Sequence, residues 1–121
     1  MPATKYILIH EDGMLERKTI ENVDELQEAV QGLITTVPVM SDKYIPGDTT
    51  VFANDEGLLI GMLRNRIAEQ VTGYPMLTGP VLIGGAVDEE GETLSITPEI
   101  TNGIIDASTE VLRLEKIRYA L

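Results

Sequence analysis

Gly79-Pro80-Val81-Leu82-Ile83-Gly84-Gly85-Ala86-Val87 is an unbroken apolar run that carries no charge. A run this short, bounded by glycines, is most simply a central strand covered on both faces of a sheet. Upstream, Thr4 to His10 and Met14 to Ile20 flank Glu11-Asp12-Gly13, and Asp-Gly between two β-rich runs signals a hairpin. Asn22-Val23-Asp24-Glu25 then has the form of an N-cap with an acidic third position. Leu26, Ala29, Val30 and Leu33 follow at i, i+3, i+4 and i+7, which predicts a helix with one apolar face, and Gly32 is its natural stop.

Ile34 to Val39 reads as a strand whose Pro38 points to an exposed end or an edge. Residues 40–48 form a loop that turns at Pro46-Gly47. Thr49 to Ala53 is a further strand, Asn54-Asp55-Glu56-Gly57 a tight turn, and Leu58-Leu59-Ile60 a short returning strand. Met62 to Val71 is expected as a helix, with Leu63, Ile67 and Val71 inward, Arg64, Glu69 and Gln70 outward and Arg66 near the boundary.

Beyond the central run, Asp88-Glu89-Glu90-Gly91 is a turn and Thr93 to Ile96 is extended. Thr97-Pro98-Glu99 starts a helix, with Thr as cap and Pro in the first position. Its continuation through Thr101-Asn102-Gly103 is weak, and a separate last helical segment is expected after Ser108. The sum is a single α+β domain over residues 1–121: one mostly antiparallel sheet carrying two or three helices.

A chain of 121 residues can bury roughly two-thirds of its unfolded surface, so it needs no metal or disulfide for stability. With no Trp, one Phe and four Tyr, its core must be aliphatic. The absence of Cys removes disulfides, thiol catalysis and Cys-based metal sites. The first apolar run, Tyr6-Ile7-Leu8-Ile9, is too short for a signal peptide or a membrane span, and a cytoplasmic location is expected.

Nine basic side chains face 20 acidic ones, a net charge of −11. The excess is spread, with 4 basic against 11 acidic up to residue 63 and 5 against 9 beyond it. Such a surface repels phosphate backbones, so direct nucleic-acid binding is not expected. It suits solubility, or a surface that imitates nucleic acid or steers toward a basic partner.

Several pieces, in order, resemble a family catalogued as domain of unknown function 3846. They are Leu26 to Gly32 followed by Ile34 and Val37-Pro38, then Asn54-Asp55-Glu56-Gly57, Asn65-Arg66 with Ala68, Gly79 to Gly85, and Ser95-Ile96-Thr97. The resemblance covers about residues 5–107 and leaves 108–121 as an extension. Leu63-Arg64 stands where family members often carry a Pro before the Asn-Arg pair. The resemblance implies a phage or mobile-element origin, and therefore a bacterial host, and assigns no catalytic residue.

Among the polar constellations, His10 is the only histidine, and one His beside two turn acids makes poor metal chemistry. It is expected as a solvated loop residue. Asp88, Glu89, Glu90 and Glu92 carry oxygen ligands, but without the spacing of a calcium loop and with Gly91 in a hairpin turn. Gly84-Gly85 lacks the Lys-Ser/Thr of a phosphate loop and reads as a bend or bulge. No catalytic set and no cofactor are expected; a metal-dependent hydrolase built on the acidic cluster is the most distant reading.

Arg64, Asn65, Arg66 and Tyr74 remain as candidates for binding a ligand or partner. Asn can read an amide or base edge, and Arg offers a planar fork to carboxylate or phosphate. The structural alternative, which is favoured, has Asn65 tying the preceding turn to the helix and Arg66 pairing with Glu56 or Glu69. At the C-terminus, Val111, Leu114, Arg118 and Leu121 share a spacing that suits either a homo-oligomer contact or packing on the chain's own core. The leading expectation is a non-enzymatic accessory protein binding a host protein, in counter-defence, by protein interaction or acidic mimicry of nucleic acid. The alternative is an oligomeric binder that sequesters a small nucleotide ligand.

Overall fold

The computed structural model describes residues 3–120, with side chains through Lys116. The central run forms strand β5 (Val81–Ile83), and its three side chains are all buried. β5 pairs antiparallel with β1 (Thr4–Ile9) on one side and with β4 (Val51–Asn54) on the other. β2 (Leu15–Ile20) continues the sheet beyond β1, and β3 (Ile34–Thr36) closes it beyond β4, giving the order β2-β1-β5-β4-β3. All neighbours are antiparallel, and β3 is an edge, as Pro38 suggests.

The hairpin register follows from its turn. The Asp12 carboxylate accepts from the Met14 N–H at 2.9 Å, the His10 N–H donates to the Met14 carbonyl, and Ile9 ends up opposite Leu15. Because strand side chains alternate between faces, this register sorts the whole sheet. Ile7, Ile9, Val51, Ala53, Val81 and Ile83 look one way, into a core shared with helices α2 (Arg66–Thr72) and α3 (Pro98–Ala120). Tyr6, Leu8, Ile20 and Leu82 look the other way and are covered by Leu26 and Val30 of helix α1 (Val23–Val30). The protein is therefore α+β in three layers, with α1 on one face of the sheet and α2 with α3 on the other.

Helix α1 starts where its cap predicts: the Asn22 side chain accepts from the Glu25 N–H at 2.9 Å. Gln31 takes the left-handed turn at its end, one residue before Gly32. After β5, Gly84 and Gly85 serve close approach. A Cβ on Gly84 would press on the Tyr6 ring, and one on Gly85 would lie 2.5 Å from the Ser95 carbonyl oxygen. The returning chain at 93–96 thus crosses directly over the end of β5, held by the Gly85 N–H to the Leu94 carbonyl at 2.8 Å.

Four expectations are corrected. Leu58-Leu59-Ile60 is a run of turns rather than a strand, closed by bonds from the Ile60 N–H to the Glu56 carbonyl and from the Met62 N–H to the Gly57 carbonyl. The second helix begins at Arg66, not Met62, so Leu63 lies before it and is 73% exposed. Leu33 falls outside α1 and is likewise exposed. Thr101-Asn102-Gly103 interrupts nothing: α3 runs unbroken, because Gly103 packs where the chain at Tyr44 passes too close for any Cβ. The boundary at 107/108 therefore falls inside one helix.

Candidate binding site

Two buried asparagines bracket the segment on which the candidates lie. Asn54, at the end of β4, donates its amide to the carbonyls of Val30 and Gln31 at 3.0 and 3.1 Å and accepts from the Glu56 N–H at 2.8 Å. It thereby joins the end of α1 to the turn that follows β4. Asn65 is 1% exposed. Its amide donates to the carbonyls of Ile9 and Gly79 at 2.8 and 2.9 Å, and its oxygen caps α2 by accepting from the Ala68 N–H at 3.0 Å. Both amide hydrogens and one lone pair of the oxygen are thus used inside the protein, and the side chain is buried, so Asn65 acts as a brace.

Between the braces the chain makes a knuckle. It is fastened to residues 77–79 by the Gly79 N–H to the Leu63 carbonyl at 2.8 Å and by a bridge between Arg64 and Thr78. Leu58, Leu59, Ile60 and Leu63 all face solvent, Leu59 at 86% exposure. Apolar side chains normally gain by leaving water, yet four of them stand exposed on this one hydrogen-bonded knuckle.

The arginines divide differently from the expectation. Arg64, not Arg66, makes the ion pair: its Nε lies 2.7 and 3.0 Å from the two carboxylate oxygens of Glu69. Glu69 is held for the purpose, since it also accepts from the Leu77 N–H at 3.0 Å and its side chain is only 12% exposed. Arg66 is exposed and has no ion-pair partner among the described residues, neither Glu56 nor Glu69. Beside them lies a groove of about 350 Å³ between α2 and the distal half of α3. It brings Arg64, Arg66 and Tyr74 together and leaves Asn65 out, while Val111, Leu114 and Glu115 form the opposite wall.

Val111 is buried in the chain's own core, whereas Leu114 is half exposed on the groove. The expectations for the Arg118 and Leu121 side chains lie outside the described residues. The wall from α3 and the anchoring role of Glu69 were not anticipated. Glu69 has a faint signal in its place on the outward side of α2, but the wall depends on tertiary packing alone.

The remaining polar groups have local roles. His10 is part-buried rather than solvated, with Nε2 2.8 Å from the Glu16 carboxylate across the hairpin. That hydrogen bond, helped by Lys18, holds the Glu16 carboxyl below its ordinary range. Asp88 spends its carboxylate on the N–H groups of Glu90 and Glu92, as a turn residue does. Among the described residues, no group of three or more His, Asp or Glu is placed to hold a metal, and no helix is long and apolar enough to cross a membrane.

No curated protein and no solved structure matches the chain. A family model does, across residues 4–109, from β1 to the middle of α3. With that match added to the residues that carry the resemblance, the chain belongs to the family described as Domain of unknown function (DUF3846).

Proposed function

We propose that the protein is a non-enzymatic accessory protein of a phage or mobile element, working in the cytoplasm of a bacterial host by binding a host protein in counter-defence. The knuckle carries this reading: Leu58, Leu59, Ile60 and Leu63 are held in solvent on a hydrogen-bonded turn, with Arg66, which has no ion-pair partner among the described residues, close by in the chain. Apolar anchors at the centre and charges at the rim are the usual division of labour at protein interfaces. The spread of acidic charge supports a basic partner or a mimic of nucleic acid; it raises encounter rates more than it adds affinity.

The test compares the wild-type chain with a Leu58→Ser/Leu59→Ser/Ile60→Ser variant in capture from host lysate, with retained metabolites extracted from both. These side chains are already exposed, so the variant is expected to fold as the wild type does. A stoichiometric host protein held by the wild type and lost by the variant is the expected result. The same proteins on both would end the reading.

The groove favours a second reading, an oligomeric binder that sequesters a small nucleotide ligand against Arg64, Arg66 and Tyr74. Glu69 and Glu115 share the groove and oppose an anion there, which is why this reading stands second. A nucleotide co-purifying with the wild type, and lost on Arg66→Gln, would reverse the order.

A further inference from the structure

A different cavity is better suited to an anion. It lies at the open end of the β1–β2 hairpin, against the start of α3, and has a volume of about 450 Å³. Two backbone-linked contacts set its shape. The Lys5 N–H donates to the Ser95 hydroxyl at 2.9 Å, and the Ile96 N–H donates to the Lys5 carbonyl at 2.8 Å. Together they lay the entry to α3 beside β1.

The hairpin register then decides which side chains face the cavity. Lys5 is opposite Thr19, and Arg17 is opposite Ile7. By alternation, Lys5, Arg17 and Thr19 share the face of Ile7 and Ile9, the face on which α3 packs. Lys5 and Arg17 are diagonal neighbours, a relation that spans about 7–8 Å in such ladders and lets long side chains converge.

Thr97, just before α3, and Thr101 and Asn102 within it face them across the cavity. Lys18 also reaches the rim but is tied to Glu16 at 3.3 Å. Among the described residues neither Lys5 nor Arg17 has an ion-pair partner, and no carboxylate lines the cavity.

In a chain with 20 acids and nine bases, two cations that line one cavity with no carboxylate beside them leave a place that suits an anion. The net charge of −11 does not forbid this, because distant surface charges are screened within about 8 Å at physiological salt while lining groups act directly. The cavity is larger than a bare phosphate needs, and Ile96 and Pro98 give it an apolar side.

We propose that this cavity binds a small phosphate monoester, with Lys5 and Arg17 on the phosphate, the Thr97 and Asn102 side chains as hydrogen-bonding partners, and the apolar side against the organic group. The site is separate from the groove at Arg66, so either can fail without the other.

Calorimetric titration of the full chain with adenosine monophosphate, ribose 5-phosphate and inorganic phosphate tests it, with adenosine as the uncharged control. At least one ester is expected to bind more tightly than inorganic phosphate, and adenosine to bind far more weakly than its monophosphate. Lys5→Gln and Arg17→Gln should each weaken binding roughly ten- to a hundredfold, the size of one charge-assisted hydrogen bond. Arg17→Lys should recover part of the loss, and Arg66→Gln should change nothing. Circular dichroism of each variant is expected to match the wild type, since both cations are exposed. No ester binding, or binding that survives Lys5→Gln/Arg17→Gln or is lost on Arg66→Gln, would overturn the proposal.

Discussion

Asn65 shows how much one amide can organise. Its oxygen caps α2, and its nitrogen draws together carbonyls from β1 and from the approach to β5. Asn65→Ala would remove a cap, worth roughly 0.5–2 kcal/mol. It would also leave two carbonyls without that donor, at about 1–3 kcal/mol for each one stranded in the interior. These losses share one site and do not add fully, so urea unfolding should show a net loss of about 3 kcal/mol. Asn65→Asp keeps the cap but aims a carboxylate at two carbonyls, and is expected to be no better than alanine. Arg66→Ala should stay within about 0.5 kcal/mol of wild type, as exposed substitutions do. The importance of Asn65 was readable from its place before a helix. Its reach to Ile9, 56 positions away, was not, because only the folded sheet brings that carbonyl near. His10 and Glu16 give a smaller effect of the same origin. The His10 hydrogen bond, then Lys18, lowers the Glu16 carboxyl from its ordinary 4.5. A depressed folded value means the stabilisation is present above the unfolded value and is lost as pH falls through the folded one. Glu16→Gln should therefore melt below wild type at neutral pH, and the gap should close in acid.

Among the elements, α3 is where local propensity misleads most. Gly costs a helix interior about 1 kcal/mol relative to Ala, and Thr101-Asn102 are poor formers too, so a break there is the natural expectation. Gly103 is kept for packing: its bare Cα lets α3 settle against the backbone at Tyr44 and the Ile45 side chain. Gly103→Ala, normally stabilising in a helix, should instead destabilise by about 2 kcal/mol or more in thermal unfolding, since overpacking against backbone cannot relax cheaply. The knuckle errs in the opposite direction. Leu58-Leu59-Ile60 looks like a strand because apolar residues usually mean burial, yet the turn closed by N–H bonds to the Glu56 and Gly57 carbonyls leaves all three outward. The hairpin, α1 and β5 were legible because their caps, turns and periods agree with one another. The meeting of Lys5 and Arg17 was legible in principle too: the Asp-Gly turn sets the register, and the register puts positions 5 and 17 on one face.

For the molecule as a whole, the three-layer arrangement explains why the central run can be apolar on every side chain while β2, at an edge, carries Glu16, Arg17 and Lys18. Charged edges discourage pairing with other chains, and the chain's net charge adds to that protection. The fold class was legible from the sequence of caps and turns; the division of helices between the two faces was not, since it is settled only when the strands acquire their order. That order has a temporal meaning. β5 is the seventh of eight elements to be synthesised, yet it is the middle strand of five. While the ribosome is still adding residues before 81, β1 with β2 and β3 with β4 exist at most as two separate pairs, and β1 and β4 each lack the neighbour that will join them. Nascent chains of this protein are thus half-built at two-thirds of their length, and the late arrival of three residues converts two strand pairs into one sheet.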